Sequence, residues 1–338
     1  MTDYFRPLVQ IGPARPDTAL PLAGGWGWFT HAEVLSRHAP PRVVPAADIP
    51  ASVMARLTAP RPAMAGLTLD RPRIMGILNT TPDSFSDGGQ HNAVPDALRV
   101  AQKMVAAGAD ILDIGGESTR PGADFVPVSE EITRTAPVIA ALRGAGLQTP
   151  ISIDTRKAAV AEAAVSAGAN LVNDVSGFTF DPALGPLCQK LALPVCVMHA
   201  QGDPATMHLD PQYDNVLLDV FDALERQISM LEASGIPRGA ILADPGIGFG
   251  KTQDHNLALL ARLSLFHALG TPILLGVSRK RFIGTIGNAP QARDRAPGSI
   301  AVALAGLGQG VQMIRVHDVD DTRQAVALWH AAYFGSIL

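Results

Sequence analysis

Eight short apolar runs, each closing on a polar or glycine-rich phrase and each followed by an Ala/Leu/Val-rich segment, constrain this chain more than any other feature. They lie at 74–78, 111–114, 151–153, 171–172, 195–198, 241–243, 273–275 and 313–316. Continuous apolarity with many β-branched residues suits strands buried on both faces, as in a parallel sheet covered by helices. The intervening segments, at 96–107, 157–167, 215–234 and 254–269, carry helical spacing, and several stop at a glycine, as at Gly108, Gly168 and Gly235. Glycine tolerates the left-handed turn that ends many helices. Eight such units with no ninth predict an α/β fold of the (β/α)8 TIM-barrel class, with an open doubly wound sheet as the alternative.

Residues 1–70 do not share this rhythm. They are rich in proline, carry the cluster Gly25-Trp26-Gly27-Trp28-Phe29, and show no sustained period of 2 or 3.6. The expected organisation is an N-terminal extension over 1–70 and a barrel over 71–338. The extension is read as an arm packed on the barrel or at a subunit contact, anchored by Trp26 and Trp28. Hydrophobic residues at 47% are enough for a large core, and 27 basic against 31 acidic residues, with no block of either sign, argue against a nucleic-acid partner. No apolar run reaches the ~18 residues of a membrane helix, and the N-terminus lacks a signal-peptide layout, so a cytoplasmic protein is expected. Cys188 and Cys196, set in apolar sequence, read as buried reduced thiols.

In a barrel of this class, function gathers at the C-terminal ends of the strands, and the polar phrases fall there. The first is Asn79-Thr80-Thr81-Pro82-Asp83-Ser84-Phe85-Ser86-Asp87-Gly88-Gly89 and the second Gly115-Gly116-Glu117-Ser118-Thr119-Arg120-Pro121-Gly122. Asp154-Thr155-Arg156, Asn173-Asp174, His199 and Asp244-Pro245-Gly246-Ile247-Gly248-Phe249-Gly250-Lys251 follow, then Ser278-Arg279-Lys280 and Arg315-Val316-His317-Asp318. Taken singly, Asp154 or Asn173 reads equally well as a helix cap. Taken together, strand ends converge on one mouth, where these carboxylates, amide, lysine, arginine and histidine would share a pocket.

Gly250-Lys251-Thr252 imitates the end of a phosphate-binding P-loop, but the first glycine of that motif would fall at Pro245, which has no N–H to offer a phosphate. Gly246, Gly248 and Gly250 likewise lack the dinucleotide spacing. The mouth reads instead as having two ends. Asp154, Asn173 and Asp244 offer acceptors and a mixed amide to a ring edge of alternating N–H and ring nitrogen, with Lys280 free to bond a carbonyl, which suits a guanine-like or pterin ring. Asn79, Thr119, Arg120, Arg315 and His317 suit a phosphate or diphosphate. Mg²⁺ would join through oxygen ligands including the Asn79 amide, whereas His199 has no partner at zinc spacing.

With these phrases in this order over about residues 72–335, the chain resembles the dihydropteroate synthase family. That resemblance implies a transferase of folate biosynthesis, joining 6-hydroxymethyl-7,8-dihydropterin diphosphate to 4-aminobenzoate and releasing diphosphate, with Mg²⁺ as cofactor. It assigns Asp154, Asn173, Asp244 and Lys280 to the pterin, with Met198 and Phe249 as apolar walls. Asn79 becomes the Mg²⁺ ligand, and Arg315 with His317 the diphosphate anchors. Phe85, Thr119, Arg120 and Pro121 would form the aminobenzoate pocket, and Asp87 would assist the departing diphosphate. Small molecules are the implied partners, and a homodimer is compatible with the resemblance. The extra residues before the barrel depart from the family pattern. The competing readings are a non-catalytic pterin-binding homologue, a methyltransferase acting on reduced folate, and a Schiff-base aldolase using Lys280.

Overall fold

The computed structural model describes residues 3–80, 93–118, 125–202 and 210–337. The N-terminal stretch is a folded layer. Strands β1 (Tyr4–Pro7), β4 (His31–Leu35) and β5 (Arg42–Pro45) form an antiparallel sheet, and β2 (Leu20–Pro21) pairs with β3 (Trp28–Phe29). Helix α1 (Ala51–Thr58) completes it. Strands of two to five residues are too short for alternation to be counted, which is why no period was visible. Phe5, Leu22, Phe29, Val34, Ile49 and Leu57 make its core, and that core includes Ala268 of the barrel.

The layer docks on the barrel by specific bonds. The Trp26 indole N–H donates to the Leu307 carbonyl at 2.9 Å and its ring lies edge-on to Trp329, while the Trp28 N–H stays within the layer, on the Gly12 carbonyl. Arg37 pairs with Asp219 and Asp222, each at 2.7 Å, and Ser264 Oγ donates to the Pro7 carbonyl.

Eight parallel strands follow: β6 (Arg73–Asn79), β7 (Ile111–Gly115), β8 (Ile151–Asp154), β9 (Leu171–Asp174), β10 (Val195–Met198), β11 (Ile241–Asp244), β12 (Leu274–Leu275) and β13 (Met313–Val316). They hydrogen-bond in the order β11-β10-β9-β8-β7-β6-β13-β12, and a single parallel bridge between Ala243 and Ile273 joins the two ends. This is the (β/α)8 barrel that the eight runs imply. Helices α2 (Ala93–Ala106), α3 (Val128–Gly144), α4 (Ala158–Ser166), α5 (Leu184–Lys190), α6 (Val216–Ala233), α7 (Gln253–Leu260), α8 (Arg281–Ile286), α9 (Ala296–Gly308) and α10 (Val319–Phe334) surround it. Helix α6 starts where Asn215 accepts from the Leu218 N–H, a side-chain cap for an otherwise unbonded donor. The continuous helix expected over 254–269 is corrected: α7 stops at Leu260, and 263–269 is a separate 3-10 turn whose residues are all buried. That turn lies between the barrel and the N-terminal layer, so apolar residues on every side are needed there and do not report helical spacing.

Inside the barrel the period-2 alternation of strands makes two tiers. The lower tier is apolar: Met75, Ile111, Leu171, Cys196, Leu242, Leu274 and Met313 meet, closed from below by Met64 and Leu69. Two residues further along these strands stand Ile77, Asp113, Asn173, Met198, Asp244 and Arg315, so the tier above is largely polar. Cys188 and Cys196 are free and buried. Among the described residues no helix is long and apolar enough to cross a membrane.

Candidate functional site

The centre of the polar tier is a carboxylate that the motif reading did not single out. Asp113, fully buried in the middle of β7, accepts from Arg315 Nε at 2.5 Å and from Asn173 Nδ2 at 3.1 Å through one oxygen. Its other oxygen, Oδ1, is buried with no hydrogen-bond partner among the described residues. A signal was present: a charged residue inside an apolar strand, two positions before the glycine that ends it, must face the same side as the mouth residues.

Asp154 ends β8 beside it and accepts from Arg315 Nη2 at 2.7 Å. Neither Asp154 nor Asn173 caps a helix; the residues preceding α4 and α5 are Lys157 and Ala183. Burial raises the Asp154 carboxyl to about 7, against the pull of Arg315 and with the push of Asp113. The Arg315 guanidinium is half-buried, yet the two carboxylates hold its pKa above the ordinary value. Its Nε and Nη2 are therefore engaged by Asp113 and Asp154.

Asp244 ends β11, and Lys280 lies beyond β12 just before α8, near enough for the two charges to act on one another. Asp244 Oδ1 accepts from the Gly246 N–H at 2.7 Å, and burial raises its pKa. Lys280 Nζ lies 4.0 Å from the centre of the Phe249 ring, a cation–π contact. Burial lowers Lys280 to about 8, with Asp244 opposing that shift. The turn carrying Phe249 is tight: Gly246 has φ +68, and a Cβ there would stand 1.9 Å from the His199 carbonyl oxygen. Any larger residue would push apart the loops after β10 and β11. Met198, 3% exposed, packs beside the same glycine.

His317, beyond β13, bonds Ser278 Oγ through its N–H at 3.1 Å and its Nδ1 at 2.9 Å, tying the end of β13 to the loop that carries Lys280. Asn79 ends β6 opposite Gly115 of β7. Glu117 in the second phrase pairs with Arg156 and Lys157, and accepts from the Val126 N–H at 3.0 Å. It thereby joins the two ends of its loop. Phe85, Asp87, Thr119, Arg120 and Pro121 lie outside the described residues.

Two further buried groups, named in the sequence only as a false phosphate lysine and a histidine without a zinc partner, are paired with each other. Lys251 is 5% exposed and His199 7%, and Lys251 Nζ lies 2.9 Å from His199 Nδ1. Thr252, the last residue of the false P-loop, caps α7 by accepting from the His255 N–H.

Together these groups present acceptors at Asp154 and Asp244, an amide at Asn173 with one Nδ2–H given to Asp113, and ammonium and guanidinium donors. Such a mouth can grip a flat polar heterocycle along its edge. No group of three or more His, Cys, Asp or Glu residues among those described could hold a metal by itself.

Comparisons with known proteins agree. The family model for pterin binding enzymes matches residues 75–317. A dihydropteroate synthase of Synechocystis sp. is 44% identical over 257 residues, 75% of this chain and 89% of that one. A solved Xanthomonas albilineans dihydropteroate synthase with 4-aminobenzoic acid superposes with TM-score 0.75 at 46% identity, covering 79% of this chain and 96% of that one. The same organism's enzyme in complex with 7,8-dihydropteroate gives TM-score 0.72 at 42% identity, over 79% and 95% of the two chains.

Proposed function

Since the chain belongs to the pterin-binding enzymes, and among them to the dihydropteroate synthases, we propose that its mouth divides their reaction between a ring-gripping floor and an anion-holding rim. The reaction is the transfer of a dihydropterin methylene from diphosphate to the amine of 4-aminobenzoate. The C–O bond to diphosphate breaks with its electron pair on the leaving group, the pterin ring delocalises the positive charge, and the amine nitrogen bonds the methylene and then loses a proton. No covalent enzyme intermediate is needed.

On the floor, Asp154, Asn173 and Asp244 accept from the ring N–H groups and Lys280 donates to its carbonyl, with Met198 and Phe249 as walls. The observation that carries this reading is the fixed Asn173 amide. Its Nδ2 donates to Asp113, so the amide presents its oxygen and needs an N–H from the ligand. The buried carboxylates also favour positive charge developing on the ring. On the rim, His317 and the Nη1 edge of Arg315 hold the diphosphate, Thr119, Arg120, Pro121 and Phe85 receive the aminobenzoate, and Asp87 assists departure. Asn79 suits Mg²⁺, an ion that takes one or two protein oxygens and fills its shell with phosphate oxygens and water. When bound, Mg²⁺ supplies charge neutralisation for the leaving diphosphate. Residues 3–70 form a unit that stabilises the barrel and takes no part in chemistry. Work in the cytoplasm is supported by the two unpaired cysteines.

The direct test is diphosphate release that depends on 4-aminobenzoate. The floor is tested by Asp244→Asn, which sets a donor where the ring also donates. Pterin binding should weaken by about 1.5–3 kcal/mol, with aminobenzoate binding to the diphosphate-loaded enzyme little changed; equal losses would instead indicate unfolding. Lys280 gives a pH test. Its pKa lies near 8, so the ammonium is present below that value and lost above it. The pH profile of kcat/KM for the pterin substrate, which reports free-enzyme groups, should fall above about 8. Lys280→Arg should lose that limb at the cost of lower activity, because a guanidinium does not titrate there. A limb that persists in Lys280→Arg belongs to another group.

A further inference from the structure

Lys251 is the one residue of the false P-loop that neither the motif nor the reaction explains. Its ammonium turns into the protein. It bonds the carbonyls of Gly246 at 2.9 Å, Phe249 at 3.0 Å and His199 at 3.2 Å, and lies 2.9 Å from His199 Nδ1. Those acceptors belong to two loops, the one after β10 and the one after β11. Gly246 also donates its N–H to Asp244, and Phe249 carries the ring under Lys280.

We propose that Lys251 is a positioning residue for the pterin end, its ammonium clamping the turn after β11 so that Asp244, Phe249 and Lys280 stand in one arrangement. The inference rests on the assignment of that end to the pterin ring. Three N–H donors on one nitrogen meet inward-pointing carbonyls of two loops, of which the Gly246 carbonyl also accepts from the Phe249 N–H, and buried backbone acceptors need such partners. An apolar side chain of equal length would fill the space and take this donor from the His199 and Phe249 carbonyls, while the Gly246 carbonyl would keep only its bond from the Phe249 N–H, so the turn would relax outward. Lys280 would follow, since its Cδ stands 3.1 Å from where a Cβ on Gly248 of the same turn would be. The half-buried side chain of Tyr213 supports the clamp, donating to the Gly250 carbonyl at 2.8 Å and packing near the His199 ring.

A clamp of this kind acts on one end of the mouth only, and that separates it from general structural support. The test is calorimetric titration of the full chain with 6-hydroxymethylpterin and, separately, with inorganic diphosphate and Mg²⁺. In Lys251→Met, pterin affinity should fall on the order of ten-fold or more while diphosphate affinity stays within about two-fold, the loss expected when charge-assisted bonds behind a contact are removed. Lys251→Gln, which keeps two N–H donors at that depth, should lie between wild type and Lys251→Met, and it carries the same comparison if the apolar variant does not fold. Folded variants that bind pterin as wild type does, or lose both ligands equally, would overturn the clamp. Asp244→Asn in the same series distinguishes the two readings. If it also binds pterin normally, the assignment of the pterin end fails; if it weakens pterin and the Lys251 variants do not, only the clamp fails.

Discussion

Arg315→Met should lower the folding free energy by about 3–5 kcal/mol, the cost of removing one partner from a buried ion pair, and should abolish turnover. Arg315 is the only cation bonded to Asp113 among the described residues, and it bonds Asp154 as well. Asp113 is fully buried and one of its oxygens already lacks a partner. Without the guanidinium, two carboxylates would face each other in the barrel. The loss should depend on pH. The Asp154 carboxyl already stands raised to about 7 by burial, and removal of Arg315, which lowers it, must raise it further. A carboxyl with a raised folded pKa contributes stability present below its unfolded pKa and lost as pH rises through the folded value. Wild type and variant should therefore lose stability in parallel up to about pH 7, below which Asp154 is protonated in both folded states, and the variant should fall further behind as pH rises above that value. Urea denaturation across that range measures it; a deficit that does not vary with pH would show that the carboxylates do not carry the penalty.

Phe29→Ala should cost about 3–5 kcal/mol, as large-to-small changes at fully buried aromatics do. Phe29 has no exposed surface and sits in the core that the N-terminal layer shares with Ala268. Because that core is continuous with the turn at 263–269, layer and barrel should unfold in one transition, with pterin binding by the folded fraction unchanged. Two separated transitions in calorimetry would show that the layer is an independent unit.

The strands of the barrel were legible because each is buried on both faces and therefore writes a continuous apolar run. Their polar ends were legible because a barrel sends every strand end to the same mouth, and Asp154, Asn173, Asp244, Lys280 and Arg315 do meet there. What sequence could not supply was the pairing among them. Arg315 read as an anion anchor, yet in the structure it is engaged by Asp113 and Asp154, and Asp113 passed for part of a strand because a single carboxylate leaves the apolar run recognisable. Lys251 was hidden differently: a Gly-Lys-Thr string signals phosphate by habit, and only the fold reveals that its ammonium meets backbone carbonyls. The N-terminal layer was illegible because its pieces are shorter than the patterns used to find them. The same layer buries 263–269 on every side, which turned an expected long helix into two short elements.

The wall of the barrel is not uniform around its circumference. Neighbouring strands elsewhere are stitched by ladders, but β11 and β12 are held by the single bridge from Ala243 to Ile273, and β12 is only two residues long. Asp244 stands on one bank of this seam and Lys280 follows β12 on the other, attracted across it. On the proposed assignment, a heterocycle that accepts from Lys280 and donates to Asp244 is a rivet through the weakest line of the cylinder. Grip on the substrate and closure of the barrel then become one mechanical event. A loosely fitting ring would leave the seam able to breathe, so the chain would discriminate between ligands partly by how well each one fastens its own container.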